Sequence, residues 1–253
     1  MTVVGCGTTT DEEEAQNAVD TTESSSNESA LLEMAQTDGT TSTCSFSSEQ
    51  VADAALGRFK LNLKDSSCVT ATRNGKSVDY VLNACTGKWG RVTVTGTVNI
   101  DYTMNADCSV DAHATGTGIS INKATVDLDS TAHYSKDASG LETVVVNSHL
   151  TGGNGNIEAD HHGSYTVTRD AGECRTLDGN WNTDWTAKRG SAMTSTTASG
   201  LKKCGDACPA AGGKVVHDGL LGRVITLTFD GSAVAKWETN KGKSGTINLP
   251  CGQ

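Results

Sequence analysis

The side chains best suited to chemistry in this chain are imidazoles and carboxylates. His113, His133, His149 and His162 fall on polar positions of segments that alternate polar and apolar residues, whereas His161 falls on an apolar position. Turns centred near 138 and near 153–154 set His149 opposite Asp127 on one side and opposite Glu158 on the other. Asp127, His149 and Glu158 then form one row across adjacent strands, with neighbouring Cβ atoms about 4.5–5.5 Å apart. An imidazole between two carboxylates at that spacing is a candidate site for a divalent metal. The competing account is a solvated cross-strand charge row, and a slip of one residue dissolves the site. A turn near 122–123 sets His113 beside His133, a weaker candidate because two ligands seldom make a site.

Other constellations carry less. Asp178, Asn180, Asn182 and Asp184 are spaced like calcium-loop ligands, but that loop needs Gly at 183 and an acid at 189, where the chain has Thr183 and Arg189. On a strand these four line a wet face, with Trp181, Thr183 and Trp185 on the other. Trp181 and Trp185 are a candidate platform for a sugar ring, against the commoner use of tryptophan as core. Cys204 and Cys208 with His217 lack a fourth zinc ligand. Gly242-Lys243-Ser244 ends like a phosphate loop, but Trp237 stands where its first glycine belongs. Ser120 with Lys123 and Ser199 with Lys202 have the S-x-x-K spacing without the helix that aligns the pair. No catalytic residue is assigned on these grounds, and no cofactor is called for.

The elements that must position these groups are strands. Val92, Val94, Gly96, Val98, Ile100, Tyr102 and Met104 alternate with Thr93, Thr95, Thr97, Asn99, Asp101 and Thr103, the mark of a strand with one buried and one wet face. Similar segments follow at about 108–121, 124–134, 141–150 and 156–169, joined by hairpin-length turns. Asn74-Gly75 is a hairpin signal between 67–73 and 76–84, and Asp230-Gly231 another between 222–229 and 233–239. Weaker strands are read at 177–187, 191–199, 215–217 and 246–249. The expected fold class is all-β: an antiparallel meander of ten or more strands, curled, with a rolled sheet, a barrel and a two-sheet sandwich all open. One short helix is expected from Ser47, where Ser47 and Gln50 match a capping box and Val51, Ala54, Ala55 and Leu56 line one face.

Composition bounds the partners. The net charge of −10 disfavours nucleic acid and anionic lipid surfaces. Aromatic residues make up only 4 % of the chain, so the girdles of an outer-membrane barrel are missing. Nine cysteines are present, an odd number. With Cys6 set aside, Cys44, Cys68, Cys85, Cys108, Cys174, Cys204, Cys208 and Cys251 are candidates for disulfides in an oxidising compartment. Their pairing is one of about 105 possibilities. Residues 1–45 read as a leader and a tether, because the acidic run Asp11 to Glu14 and the serines Ser24 to Ser26 bury too little to fold. Residues 46–253 read as one β domain.

Val3-Val4-Gly5-Cys6 resembles a bacterial lipobox, which implies a lipid on Cys6; Gly7 after it is compatible with outer-membrane sorting. The closing third, with Cys204-Gly205-Asp206-Ala207-Cys208-Pro209, Arg223 to Ser232 and Gly245-Thr246-Ile247-Asn248-Leu249-Pro250-Cys251, resembles predicted bacterial envelope lipoproteins of unassigned function. That resemblance implies export and β structure. The expected role is that of a lipid-anchored envelope protein, structural or ligand-binding, its partners a membrane and an envelope protein or glycan. A module for a glycan or apolar ligand, and a metalloprotein or hydrolase using the histidine row, are the alternatives.

Overall fold

The computed structural model describes residues 10–32, 46–58, 65–86, 92–170, 174–188, 190–205, 207–249 and 251, the side chains of 26, 27, 29–32, 57 and 58 excepted. Period-two alternation becomes strand after strand: β1 (Val69–Asn74), β2 (Ser77–Thr86), β3 (Thr93–Met104), β4 (Val110–Ile121), β5 (Ala124–Lys136), β6 (Glu142–Gly153) and β7 (Ile157–Arg169). There follow β8 (Cys174–Ala187), β9 (Gly190–Cys204), β10 (Lys214–Asp218), β11 (Val224–Phe229), β12 (Val234–Thr239) and β13 (Ser244–Asn248). All 13 lie in one sheet in sequence order, each antiparallel to its neighbours. β1 and β13 do not pair, so the sheet is an open curled meander, neither a barrel nor a sandwich. Gly75 and Gly231 adopt positive φ (61° and 87°) at the tight turns expected of them.

Two helices cover the inner face. α2 (Ser48–Arg58) is the helix expected from sequence, and its capping box forms: Ser47 N–H donates to Gln50 Oε1 at 2.8 Å and Gln50 N–H to Ser47 Oγ at 3.3 Å. Val51, Ala52 and Ala55 are fully buried against β1, β2 and β3. Tyr80 Oη donates to the carbonyl of Ala55 at 3.1 Å, tying sheet to helix.

The other helix corrects the expected tether. Residues Asp11–Leu32 form α1, 22 residues long. A capping box opens it: Thr10 N–H donates to Glu13 Oε2 at 2.7 Å, and Glu13 N–H to Thr10 Oγ1 at 3.2 Å. Asp11, Glu12, Glu13 and Glu14 then sit in the first turn, where the helix dipole favours negative charge. Ala15, Ala18 and Val19 are fully buried. The short helix expected at Glu28 to Gln36 is the end of this element as far as Leu32; 33–36 lie outside the described residues.

α1 touches β4 and β6 as well as β10, β11 and β13. Laid flat, β4 and β13 would be about 43 Å apart at about 4.8 Å per strand, whereas 22 residues of helix span about 33 Å. The sheet therefore curls around α1. Disulfides join Cys68 to Cys85, Cys174 to Cys204 and Cys208 to Cys251, with Cα atoms 5.3, 4.1 and 5.1 Å apart. Cys108 is disulfide-bonded as well. Cys6 and Cys44 lie outside the described residues. These pairings dispose of the zinc reading of Cys204, Cys208 and His217. They fit an oxidising, extracytoplasmic compartment, and no described helix is long and apolar enough to cross a membrane.

Candidate functional site

Strand pleating sorts the histidines onto two faces. On the outer face, His113 Nε2 lies 2.6 Å from Asp129 Oδ1, His133 Nδ1 2.7 Å from Asp111 Oδ1, and His149 Nε2 3.1 Å from Asp160 Oδ1. All of these side chains are about half exposed. Hydrogen bonds from Asn105 and then His133 hold the Asp111 carboxyl below the usual carboxylate range.

The expected row is not assembled. Asp127 lies opposite Thr151, His149 opposite His162, and Glu158 opposite Gly153 and Thr186. Asp127 accepts from Gly118 N–H at 2.8 Å. His113 faces Thr131, and His133 faces Asp111. The error has its cause in two turns: the β5–β6 turn centres on Ser139, which puts Asp127 opposite Thr151, and the β6–β7 turn falls later than expected. Gly152 and Gly153 look like turn residues but are strand, chosen because an added Cβ would collide with the Thr125 and Ile157 carbonyls. The turn falls later, around Asn154 and Gly155, where Asn154 Oδ1 accepts from Asn156 and Ile157 N–H groups at 3.2 Å. Among the described residues, no three His, Cys, Asp or Glu side chains are set to hold a metal.

The inner face carries polar groups where alternation calls for apolar ones. Ser130, Ser148, His161, Thr183, Thr194, Thr196 and His217 are all buried there. His161 Nδ1 lies 2.8 Å from Thr183 Oγ1, and burial pushes its pKa down to about 4, so the imidazole is neutral. Thr196 Oγ1 lies 2.8 Å from His217 Nδ1, and His217 Nε2 lies 3.6 Å from Glu14 Oε2 of α1. A hydroxyl, an imidazole and a carboxylate in line have the composition of a nucleophile relay. Their exposures of 2 %, 4 % and 1 % close the hydroxyl to any substrate, and the carboxylate belongs to a separate helix. The arrangement is an anchor for α1.

The far end of α1 is anchored by hydroxyls. Glu28 Oε1 accepts from Ser130 Oγ at 2.5 Å, and Oε2 accepts from Ser148 Oγ and Tyr165 Oη at 2.7 Å each. These side chains project from β5, β6 and β7, three adjacent strands, and converge on one carboxyl group. Burial raises the Glu28 pKa against the opposing pull of the three hydroxyl donors. At the opposite end Asp11, itself mostly covered, pairs with exposed Lys243 at 2.7 Å and with Arg223 at 3.4 Å, chiefly the Lys243 hydrogen bond holding its carboxyl low.

The tryptophan pair also lies on this face. Trp181 is 1 % exposed and meets Tyr165 edge to face, ring centroids 6.4 Å apart. Gly163 and Gly179 make room for these rings, since a Cβ at either would collide with Trp181 or Tyr165. Trp185 is half-buried and donates to Thr194 Oγ1 at 3.2 Å. Trp181 is core, so the two rings do not form an open sugar platform.

Sequence reasoning missed the Glu28 seat because it treated α1 as a tether. Two signals pointed to it: the Thr10–Glu13 capping box, and Ser130 and Ser148 at apolar positions of otherwise regular strands. No family model, curated protein or solved structure matches this chain.

Proposed function

We propose that this protein is exported to the bacterial envelope, tethered there by a lipid on Cys6, and binds a carboxylate-bearing partner on the inner face of its curled sheet. The observation that carries the binding role is the convergence of Ser130, Ser148 and Tyr165 hydroxyls on one carboxyl group. Three O–H donors from three strands are more than packing needs, and converging on one carboxyl group they give directional hydrogen bonds. The closed Thr196–His217 pair and the dispersed outer-face histidines favour binding over catalysis. Export is supported by the disulfides, and the anchor by the lipobox-like Val3-Val4-Gly5-Cys6 and the resemblance of the closing third to envelope lipoproteins.

The test is mass spectrometry of the chain expressed with its natural upstream sequence. Fragmentation should find an acyl group on Cys6, and reduction should add hydrogens to the bonded cysteines. Native spectra recorded with a panel of mono- and dicarboxylates should show retained adducts that Ser130→Ala/Ser148→Ala loses. An unacylated Cys6 in membrane-free protein ends the anchor reading. Absence of any adduct ends carboxylate binding.

A further inference from the structure

α1 is buried as core but composed as surface. Between Asp11 and Ser25 its fully buried apolar side chains are Ala15, Ala18 and Val19, while Glu14, Thr22, Glu23 and Ser25 are equally enclosed. Beside these apolar contacts, polar ones hold it to the sheet along its length. Asp11 meets Arg223 and Lys243 at one end, Glu14 meets His217, and Glu28 meets the hydroxyl trio at the other end. Asp11 and Glu28 are 17 residues apart in the chain, about 25 Å along a helix. The sheet thus presents a trough with cations at its mouth, an imidazole along it and hydroxyl donors at its end. Every one of these groups is suited to an acid.

On the same face of the sheet, the Trp181 indole N–H is buried and finds no acceptor among the described residues. A buried unpaired donor carries a desolvation penalty that a better-placed acceptor removes.

We propose that α1 is an exchangeable occupant of an acidic-helix groove, and that an acidic helix of a partner protein takes its place. The inference rests on the binding role proposed above and names the ligand class. Charge complementarity selects the partner: a helix bearing carboxylates at its N-terminal turn, again three residues on, and about four turns further along. The bound α1 then acts as a built-in competitor. Its tethering gives it a high effective concentration, so the groove stays shut until a partner of higher affinity arrives.

Hydrogen exchange on the wild-type full-length chain is the first test. Amides of α1 should exchange by local opening at least about 100-fold faster than those of α2 and β5–β7. If α1 amides exchange only with the sheet, α1 is ordinary core and the inference fails. The second test uses the full-length Val19→Asp chain, in which α1 is undocked, and a labelled peptide of residues 10–32. The peptide should bind this variant at least tenfold tighter than wild type, and Ser130→Ala/Ser148→Ala in the same background should abolish binding. Equal binding of a peptide with all acids changed to amides overturns acid recognition. Concentration-dependent dimers of the wild-type chain, with α1 swapped between copies, assign the groove to a second copy and overturn the partner claim. Loss of peptide binding with small carboxylates still retained sinks this inference alone; loss of both sinks the binding reading as well. Should Val19→Asp fail to fold, the wild-type exchange experiment decides.

Discussion

α1 and α2 lie on the same inner face of the same sheet, and each buries one valine and two alanines there, but they differ in the polar groups they enclose. α2 contributes Val51, Ala52 and Ala55 to the core, is capped by Ser47 and Gln50, accepts hydrogen bonds from Tyr80 Oη and Met104 N–H, and pairs Asp53 with Arg73. α1 contributes Ala15, Ala18 and Val19, and beside them encloses Glu14, Thr22, Glu23 and Ser25, with Glu14 and Glu28 finding specific partners. Apolar burial is non-directional and cannot be transferred to a competitor of defined charge pattern. Hydrogen-bonded carboxylates are directional, costly to bury and replaceable by any group of the same shape and charge. The contrast teaches that burial alone does not mark an element as permanent: what it exchanges with its surroundings does.

The largest test of that contrast places one charge in each helix. Val51→Asp should cost about 4 kcal/mol or more and remove the cooperative thermal transition, because the charge enters the packing of α2 against β1, β2 and β3. Val19→Asp should cost the sheet far less, removing helical circular dichroism while the transition of the β signal survives. Equal losses would erase the distinction between the helices.

pH sharpens it next. His161, in the sheet wall, has its pKa lowered from 6.5 to about 4, so its stabilising effect is present above 6.5 and is lost as pH falls from there through about 4. That shift corresponds to about 3 kcal/mol, and His161→Gln should flatten the acid limb of a urea stability profile. A profile unchanged by His161→Gln would show that other groups govern the acid limb.

Glu28 has the opposite sense. Its folded pKa is raised above 4.5, so its contribution is fully present below 4.5 and is lost as pH rises through the raised value. Seating of α1 should therefore tighten as the sheet wall weakens in acid. Glu28→Gln should abolish that pH dependence in α1 hydrogen exchange, at a cost of about 1 kcal/mol for the lost acceptor. The smallest effect belongs to the outer face: His113→Gln should change stability by less than about 0.5 kcal/mol, since its partner Asp129 is 68 % exposed. A larger loss would mean that the outer histidine–aspartate pairs are more than a solvated surface.

The strands were legible because the signal that defines them is local. Val98, Ile100 and Tyr102 turn inward and Asn99 and Asp101 outward wherever the rest of the sheet lies. Five of the six histidines were likewise sorted correctly, His161 inward and His113, His133, His149 and His162 outward. Register was harder, since it depends on where each turn begins. The glycine run 152–155 offers two placements, and only the approach of the Thr125 and Ile157 carbonyls to Gly152 and Gly153 selects one. That choice separates Glu158 from His149, while a β5–β6 turn centred on Ser139 moves Asp127 opposite Thr151. α1 was illegible for a different reason: its composition is that of a solvated segment, and what encloses it is a trough contributed by strands more than a hundred residues away, as the Ser130–Glu28 contact shows.

The order of amino acids by itself determines the all-β meander, the faces of its strands, the α2 helix and the disulfide-bearing character of the chain, because each follows from periodicity, capping or residue type read over a few positions. The tertiary structure alone decides that the sheet stays open, which cysteines pair, and that Glu28 meets Ser130, Ser148 and Tyr165. Those outcomes depend on curvature summed over 13 strands, and no short stretch of sequence carries a sum.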